Sequence, residues 1–321
     1  MDLPFELKTA IDLLADGYKL SQLKVVSNKL TDKYKYESGN DASLITSDID
    51  ALTYSLVRMP ATYGAVYSAL KYTLEIYHDD LSSVIDVGSG TGAASWVVNE
   101  LINPKTILCL EKEKAMRDIG VSLMSNNEQL KSKTTWKSFD LLKEELPSSS
   151  DLVISSYVLN ELSFNNRRDA VIDMWEKTNK VLLIIEPGTK AGFKIIQEIK
   201  EIITKLGGYI IAPCPHQGKC PMNEDDWCHF TVRVARSKMH KLIKEGDVPY
   251  EDEKYTYVAF SKEEIPTKNN RVLRHPIITK GQVELTLCQH DGINKISLRK
   301  RNGESFKEAK KSKPGDSLLN L

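Results

Sequence analysis

The chain has 321 residues, 41% hydrophobic and 27% charged, enough to bury a full core and to form two or three units rather than one. Lys and Arg total 44 and so do Asp and Glu, so bulk charge gives no pull on nucleic acid and any such affinity must come from local basic patches. No apolar run is long enough to cross a bilayer. The opening "MDLPFELKTAIDLLADG", acidic early and without arginine, fits neither a secretory signal nor a mitochondrial presequence, and a cytoplasmic protein is expected.

Residues 1–80 have helical texture. Apolar residues recur at three- and four-residue spacing in "FELKTAIDLLADG" and in "ALTYSLVRMPATYGAVYSALKYTLEIY", where Pro60 restarts a helix at its first turn. From Ser82 the texture changes. "SVIDVG", "TILCLE", "DLVISSYV" and "KVLLIIEP" are apolar strands, each followed by a helix-length segment, which predicts an open and mostly parallel sheet with helices on both faces. "GGYIIAPC" and "EKYTYVAFS" add two late strands, which fit the antiparallel closure of a methyltransferase sheet. The cysteine-rich residues 213–250 then form an insertion within a unit spanning 81–265. In residues 266–321, "GQVELTLCQHDGINKISLRKRNG" alternates at period two about an Asp-Gly turn, as a β-hairpin does, and a basic tail follows.

The loop "VIDVGSGTGAASWVV" joins strand to helix through Gly88, Gly90 and Gly92, which allow a tight turn and close approach of a ligand to the backbone. Asp86 precedes it by two residues, and Glu111 ends the next strand, where a carboxylate meets both hydroxyls of a ribose. This acid-x-G-x-G-x-G pattern differs from the G-x-G-x-x-G of dinucleotide enzymes and resembles the S-adenosylmethionine loop of class I methyltransferases, and Asp140 in "KSFDLL" falls where that class puts an acid near the adenine amino group. A nicotinamide enzyme is disfavoured because no His or Tyr constellation follows. Catalytic residues are not identified. "SSYVLNELS" lacks the Asn/Asp-Pro-Pro-aromatic turn of base-amine methyltransferases, and no cysteine nucleophile stands near the ends of the fourth and fifth strands. Tyr157, Asn160 and Glu161 serve either to orient a substrate or as a helix start beneath the pocket.

Cys214, Cys220 and Cys228 cluster, Cys288 lies on the later hairpin, and Cys109 sits inside an apolar strand as a core thiol. Short Cys-x-x-Cys knuckles typical of zinc are absent. The spacings of six and eight residues, with Pro after Cys214 and Cys220, are closer to iron–sulfur ligation, and four thiolates match the count for a 4Fe–4S cluster. His216, His229 and His290 keep a mixed zinc site open as the alternative.

The stretches "RMPATYGAVY", "DVGSGTGAASW", "SYVLNEL", "IIEPGT", "CPHQGKCPM", "WCHF", "YEDEKYTYVAFS", "HPIITKGQVELTLC" and "SFKEAKKSKPGD" run in order from Arg58 to Asp316. With them the chain resembles the methyltransferase-like assembly factors of the mitochondrial small ribosomal subunit and their bacterial relatives. The resemblance implies a SAM-binding domain, a structural 4Fe–4S cluster on Cys214, Cys220, Cys228 and Cys288, and binding to small-subunit ribosomal RNA during assembly or translation. The lack of a presequence points to a bacterial-type member, and Pro314 stands where the family has Trp before the terminal Gly-Asp. An active rRNA methyltransferase and a small-molecule methyltransferase are the rival functions. The cluster would join the insertion to the hairpin and gather Arg233, Arg236, Lys238 and Lys241 with Arg299, Lys300 and Arg301 into a phosphate-tracking surface.

Overall fold

The computed structural model describes residues 1–36, 44–266 and 270–318. Four helices lead: α1 (Phe5–Ala15), α2 (Leu20–Tyr36), α3 (Asp48–Val57) and α4 (Met59–Leu74). Ser47 caps α3 by accepting the Asp50 N–H, and Pro60 occupies the first turn of α4, where an N–H has no partner inside the helix.

Strands and helices then alternate: β1 (Ser83–Val87), α5 (Ala93–Leu101), β2 (Thr106–Glu111), α6 (Lys114–Met124), α7 (Glu128–Lys133), β3 (Thr134–Ser138), β4 (Ser150–Ser156), α8 (Phe164–Glu176), β5 (Thr178–Pro187), α9 (Lys190–Lys205) and β6 (Tyr209–Ala212). After the cysteine-rich stretch come β7 (Phe230–Ala235), α10 (Lys238–Lys244) and the long β8 (Tyr250–Ser261). The sheet order is β3-β2-β1-β4-β5-β8-β6, with the first five strands parallel and β8 antiparallel to both β5 and β6. This is the class I methyltransferase sheet, with β8 as its reversed strand. The central strands β1, β4 and β5 are buried on both faces, and period two sorts their side chains between two cores. Val181, Leu183 and Ile185 join a core under the N-terminal helices, while Leu182 and Ile184 join one under α8 and α9.

The stretch between β6 and β8 does more than hold cysteines. It returns as β7, antiparallel to the first half of β8, and so extends that strand beyond the main sheet. A second sheet of β9 (Asn270–Val272), β10 (Ile277–Thr279), β11 (Gln282–Gln289), β12 (Gly292–Arg299) and β13 (Ser317–Leu318) follows, with α11 (Glu304–Lys311) packed on it. The predicted hairpin is β11–β12, with Gln289 opposite Gly292 and only His290 and Asp291 in the turn. Residues 315–318 are held as well. Gly315 (φ +100°) lies against Tyr72 of α4, where a Cβ would come within 2.7 Å of the ring, and the Tyr72 hydroxyl donates to Asp316 Oδ1 at 3.3 Å.

Candidate functional site

The loop after β1 is shaped by what its amides must reach. Gly88 (φ +65°) donates its N–H to the Leu110 carbonyl at 2.8 Å, and a Cβ there would lie 2.3 Å from Val158 Cγ2. Gly90 (φ +55°) donates to Glu111 Oε2 at 2.8 Å. Glycine takes both conformations without strain. Glu111 accepts a second N–H on Oε1, from Glu113 at 2.8 Å, so two backbone donors fix its carboxylate while leaving further lone pairs for a ligand. Burial raises the Glu111 carboxyl above its ordinary range against the pull of those donors.

Gly88, Gly90, Glu111 and Asp140 share one cavity at the C-terminal ends of β1 and β2. Burial also works against the charge on Asp140. The Leu142 N–H and the Lys143 and Lys112 ammonium groups, at 3.2 and 3.5 Å, outweigh it, and the carboxyl is held below the usual range. Asp86 and Gly92 do not line the cavity. Asp86 is fully buried behind the loop, with Oδ2 accepting from Ser95 Oγ at 2.9 Å and burial pushing its carboxyl up to about 7. Gly92 is the N-cap of α5, and a Cβ on it would meet Met124 Cε at 2.6 Å. Both residues shape the loop from behind.

The helical region supplies walls that sequence spacing does not reveal. Tyr34 of α2 and Tyr54 of α3, with ring centroids 6.4 Å apart, line this cavity and a second one that continues over the ends of β4 and β5. Tyr157 and Glu161 also line both cavities, and Arg58, Asn160 and Lys244 line the second. Tyr157 has φ +61°, a conformation an aromatic residue rarely takes. Its N–H donates to the Ile185 carbonyl and its hydroxyl to Glu253 Oε1, both at 2.9 Å. Burial, and then the charges of Glu111 and Glu113, push Glu161 up to about 8.

Cys214, Cys220, Cys228 and Cys288 all line a third cavity, between α9 and the second sheet, although Cys288 is brought there by β11. His216 Nε2 lies 3.7 Å from Cys288 Sγ. His229 instead stacks on Trp227 and faces the Trp227 carbonyl at 3.1 Å, and neither His229 nor His290 lines the cavity. Burial, followed by the neighbouring thiols, raises Cys220 and Cys228 and pushes Cys288 up to about 12. Among the described residues, no group of three or more His, Cys, Asp or Glu is drawn together tightly enough to hold a single metal ion. Two cations line the same cavity. Lys200 of α9, 5% exposed, places Nζ 3.4 Å from Cys214 Sγ. Arg271 of β9, 3% exposed, donates to the Pro213 and Gly315 carbonyls at 3.0 and 2.6 Å. Lys200 was legible as the one lysine within the isoleucine stripe Ile195, Ile196, Ile199 and Ile203. Soft thiolate donors with cations behind them fit an anionic metal–thiolate group.

The expected basic array is only partly formed. Arg233 makes two hydrogen bonds to Asp252, at 2.7 and 2.8 Å, and Arg236 pairs with Glu251 at 3.1 Å, so carboxylates of β8 already neutralise both arginines. Arg299, Lys300 and Arg301 are exposed, as are Lys310 and Lys311 of α11.

The human mitochondrial ribosome assembly protein METTL17 is 25% identical over 258 residues, covering 74% of this chain and 55% of that protein. The mitochondrial Rsm22-cox11 tandem protein 2 of Schizosaccharomyces pombe is 23% identical, covering 86% of this chain and 44% of that one. The chain thus spans about half the length of these relatives. Among solved structures, magnesium protoporphyrin IX methyltransferase from Synechocystis with bound SAM is similar at 12% identity and a TM-score of 0.42, covering 73% of this chain and 91% of that one. An O-methyltransferase family protein from Burkholderia thailandensis is similar at 13% identity and a TM-score of 0.44, over 67% and 60% of the two chains. The family model described as mitochondrial small ribosomal subunit Rsm22 matches residues 48–319, and the chain belongs to that family.

Proposed function

We propose that the chain is an S-adenosylmethionine-binding factor carrying a 4Fe–4S cluster that docks on small-subunit ribosomal RNA. The observation that carries this is the meeting of Cys288 with Cys214, Cys220 and Cys228 in one cavity, in a member of a small-subunit family. A cluster on those thiols would tie the insertion to the second sheet, and metal ligation there adds directly to folding energy. The RNA surface falls on the second sheet and α11, where residues 292–313 hold eight Lys and Arg against two Glu. Salt-sensitive co-sedimentation with small subunits tests the docking, and its absence would leave a small-molecule methyltransferase. Protein prepared without oxygen should contain iron and sulfide in about equal amounts, roughly four each per chain. Cys288→Ser should lose both, and stoichiometric zinc in the wild type would assign the site to the other metal.

The cofactor proposal has its own pH signature. S-adenosylmethionine carries a sulfonium, and Glu161 on the cavity wall is largely protonated at pH 7 in the free protein, since burial pushes it up to about 8. A bound cation favours the ionised carboxylate, so binding lowers this pKa and releases a proton. Affinity is therefore expected to rise with pH through 7 and to level off above about 8. Asp86 and Glu186 titrate in the same range but lie off the wall. Glu161→Gln should flatten the rise, as calorimetry in buffers of differing ionisation heat will report.

An active RNA methyltransferase is the second reading, favoured by the adjoining cavity over β4 and β5, where an acceptor would have to sit. Transfer of labelled methyl to ribosomal RNA decides it.

A further inference from the structure

Lysine is almost never fully buried without a partner. Lys200 lies on the inward face of α9, and among the described residues no carboxylate pairs with it. Its recorded partner is a sulfur, Cys214 Sγ at 3.4 Å. Arg271, the other cation on the wall, is different in kind, because its guanidinium is already bound to two backbone carbonyls and ties the insertion to the tail. The Lys200 ammonium therefore has a charge that the protein alone leaves unbalanced, directed at four thiols.

An oxidised 4Fe–4S core with four thiolates carries two net negative charges and gains a third on one-electron reduction. A fixed ammonium beside it offsets the cost of burying that anion and favours the more negative, reduced state. We propose that Lys200 is the cluster's counter-charge, setting its reduction potential and helping to retain it. This role rests on the four cysteines holding such a cluster.

The test compares wild type, Lys200→Met and Lys200→Arg, all prepared without oxygen. Iron and sulfide are measured first, and each protein is then titrated with dithionite and followed by electron paramagnetic resonance. Lys200→Met should shift the potential to more negative values and shorten the lifetime of the cluster in air, while Lys200→Arg stays near wild type. Loss of the cluster from Lys200→Met but not from Lys200→Arg also supports the charge role. An unchanged potential in Lys200→Met with its cluster intact would overturn it, as would cluster loss from both variants, because shape and not charge would then be what the site needs. Wild type without iron and sulfide would instead overturn the cluster assignment itself.

Discussion

Glu111→Ala is expected to weaken S-adenosylmethionine binding by about 1–3 kcal/mol, or roughly 5- to 150-fold in Kd, the worth of lost charge-assisted hydrogen bonds. Two losses combine. The ribose would lose its carboxylate acceptor, and the Gly90 and Glu113 N–H groups, each 2.8 Å from a Glu111 oxygen, would lose theirs. The second loss loosens the loop even before a ligand arrives. Gly90→Val acts differently. A Cβ at Gly90 meets only Met116 Cε at 3.6 Å, so its penalty is the left-handed backbone and not lack of room. At Gly88 the penalty would be both, because Val158 fills the space. Calorimetry giving wild-type affinity in both Glu111→Ala and Gly90→Val would remove the assignment of this cavity.

The parts of the molecule that could be read from the sequence are those where local pattern and tertiary role coincide. The apolar strands β1, β2, β4 and β5 announce themselves because a parallel sheet is buried on both faces. β3 was missed because "TTWKS" is a largely exposed edge strand with no apolar run. β7 does alternate, as Phe230, Val232 and Val234 inward and Thr231 and Arg233 outward, but Arg233 within it and Arg236 just after it read as part of a basic surface. Their actual partners, Asp252 and Glu251, lie in a strand that sequence distance gave no reason to place opposite. The same limit applies to the site. Gly88, Gly90 and Glu111 sit at fixed offsets from strand ends, so position alone finds them. Tyr34 and Tyr54 reach the cavity only through packing of helices that precede the sheet. Asp86 matched the motif yet serves behind the wall, since a motif gives position along a strand and not which way the carboxylate is satisfied.

Cys220→Ser is expected to separate the two binding activities, with small-subunit affinity falling on the order of tenfold or more while S-adenosylmethionine affinity is retained. The cavity of the glycine loop and the cavity of the cysteines share no lining residue, so loss of the proposed cluster is not expected to reach the cofactor wall. The RNA side is different. The insertion meets the second sheet there through the Arg271 bond to the Pro213 carbonyl and through Arg274, which pairs with Asp226 at 2.6 Å and donates to the Trp227 carbonyl at 3.3 Å, and the proposed cluster would add the four cysteines to this joint. Without the cluster, the Arg271 bond to Pro213 and the Arg274 contacts to Asp226 and Trp227 must hold the joint against burial of a cation that faces unmetallated thiols. RNA would then have to order the loosened segments as it binds, at about 0.5–1.5 kcal/mol per immobilised side chain, without any RNA contact having been removed. Parallel assays of Cys220→Ser for the cofactor and for sedimentation with small subunits check this. Loss of subunit binding alone supports a structural clasp. Loss of both would mean that the two cavities are coupled through the shared sheet. Retention of both would show that the Arg271 and Arg274 contacts suffice and that the cluster serves some purpose other than holding the RNA surface together.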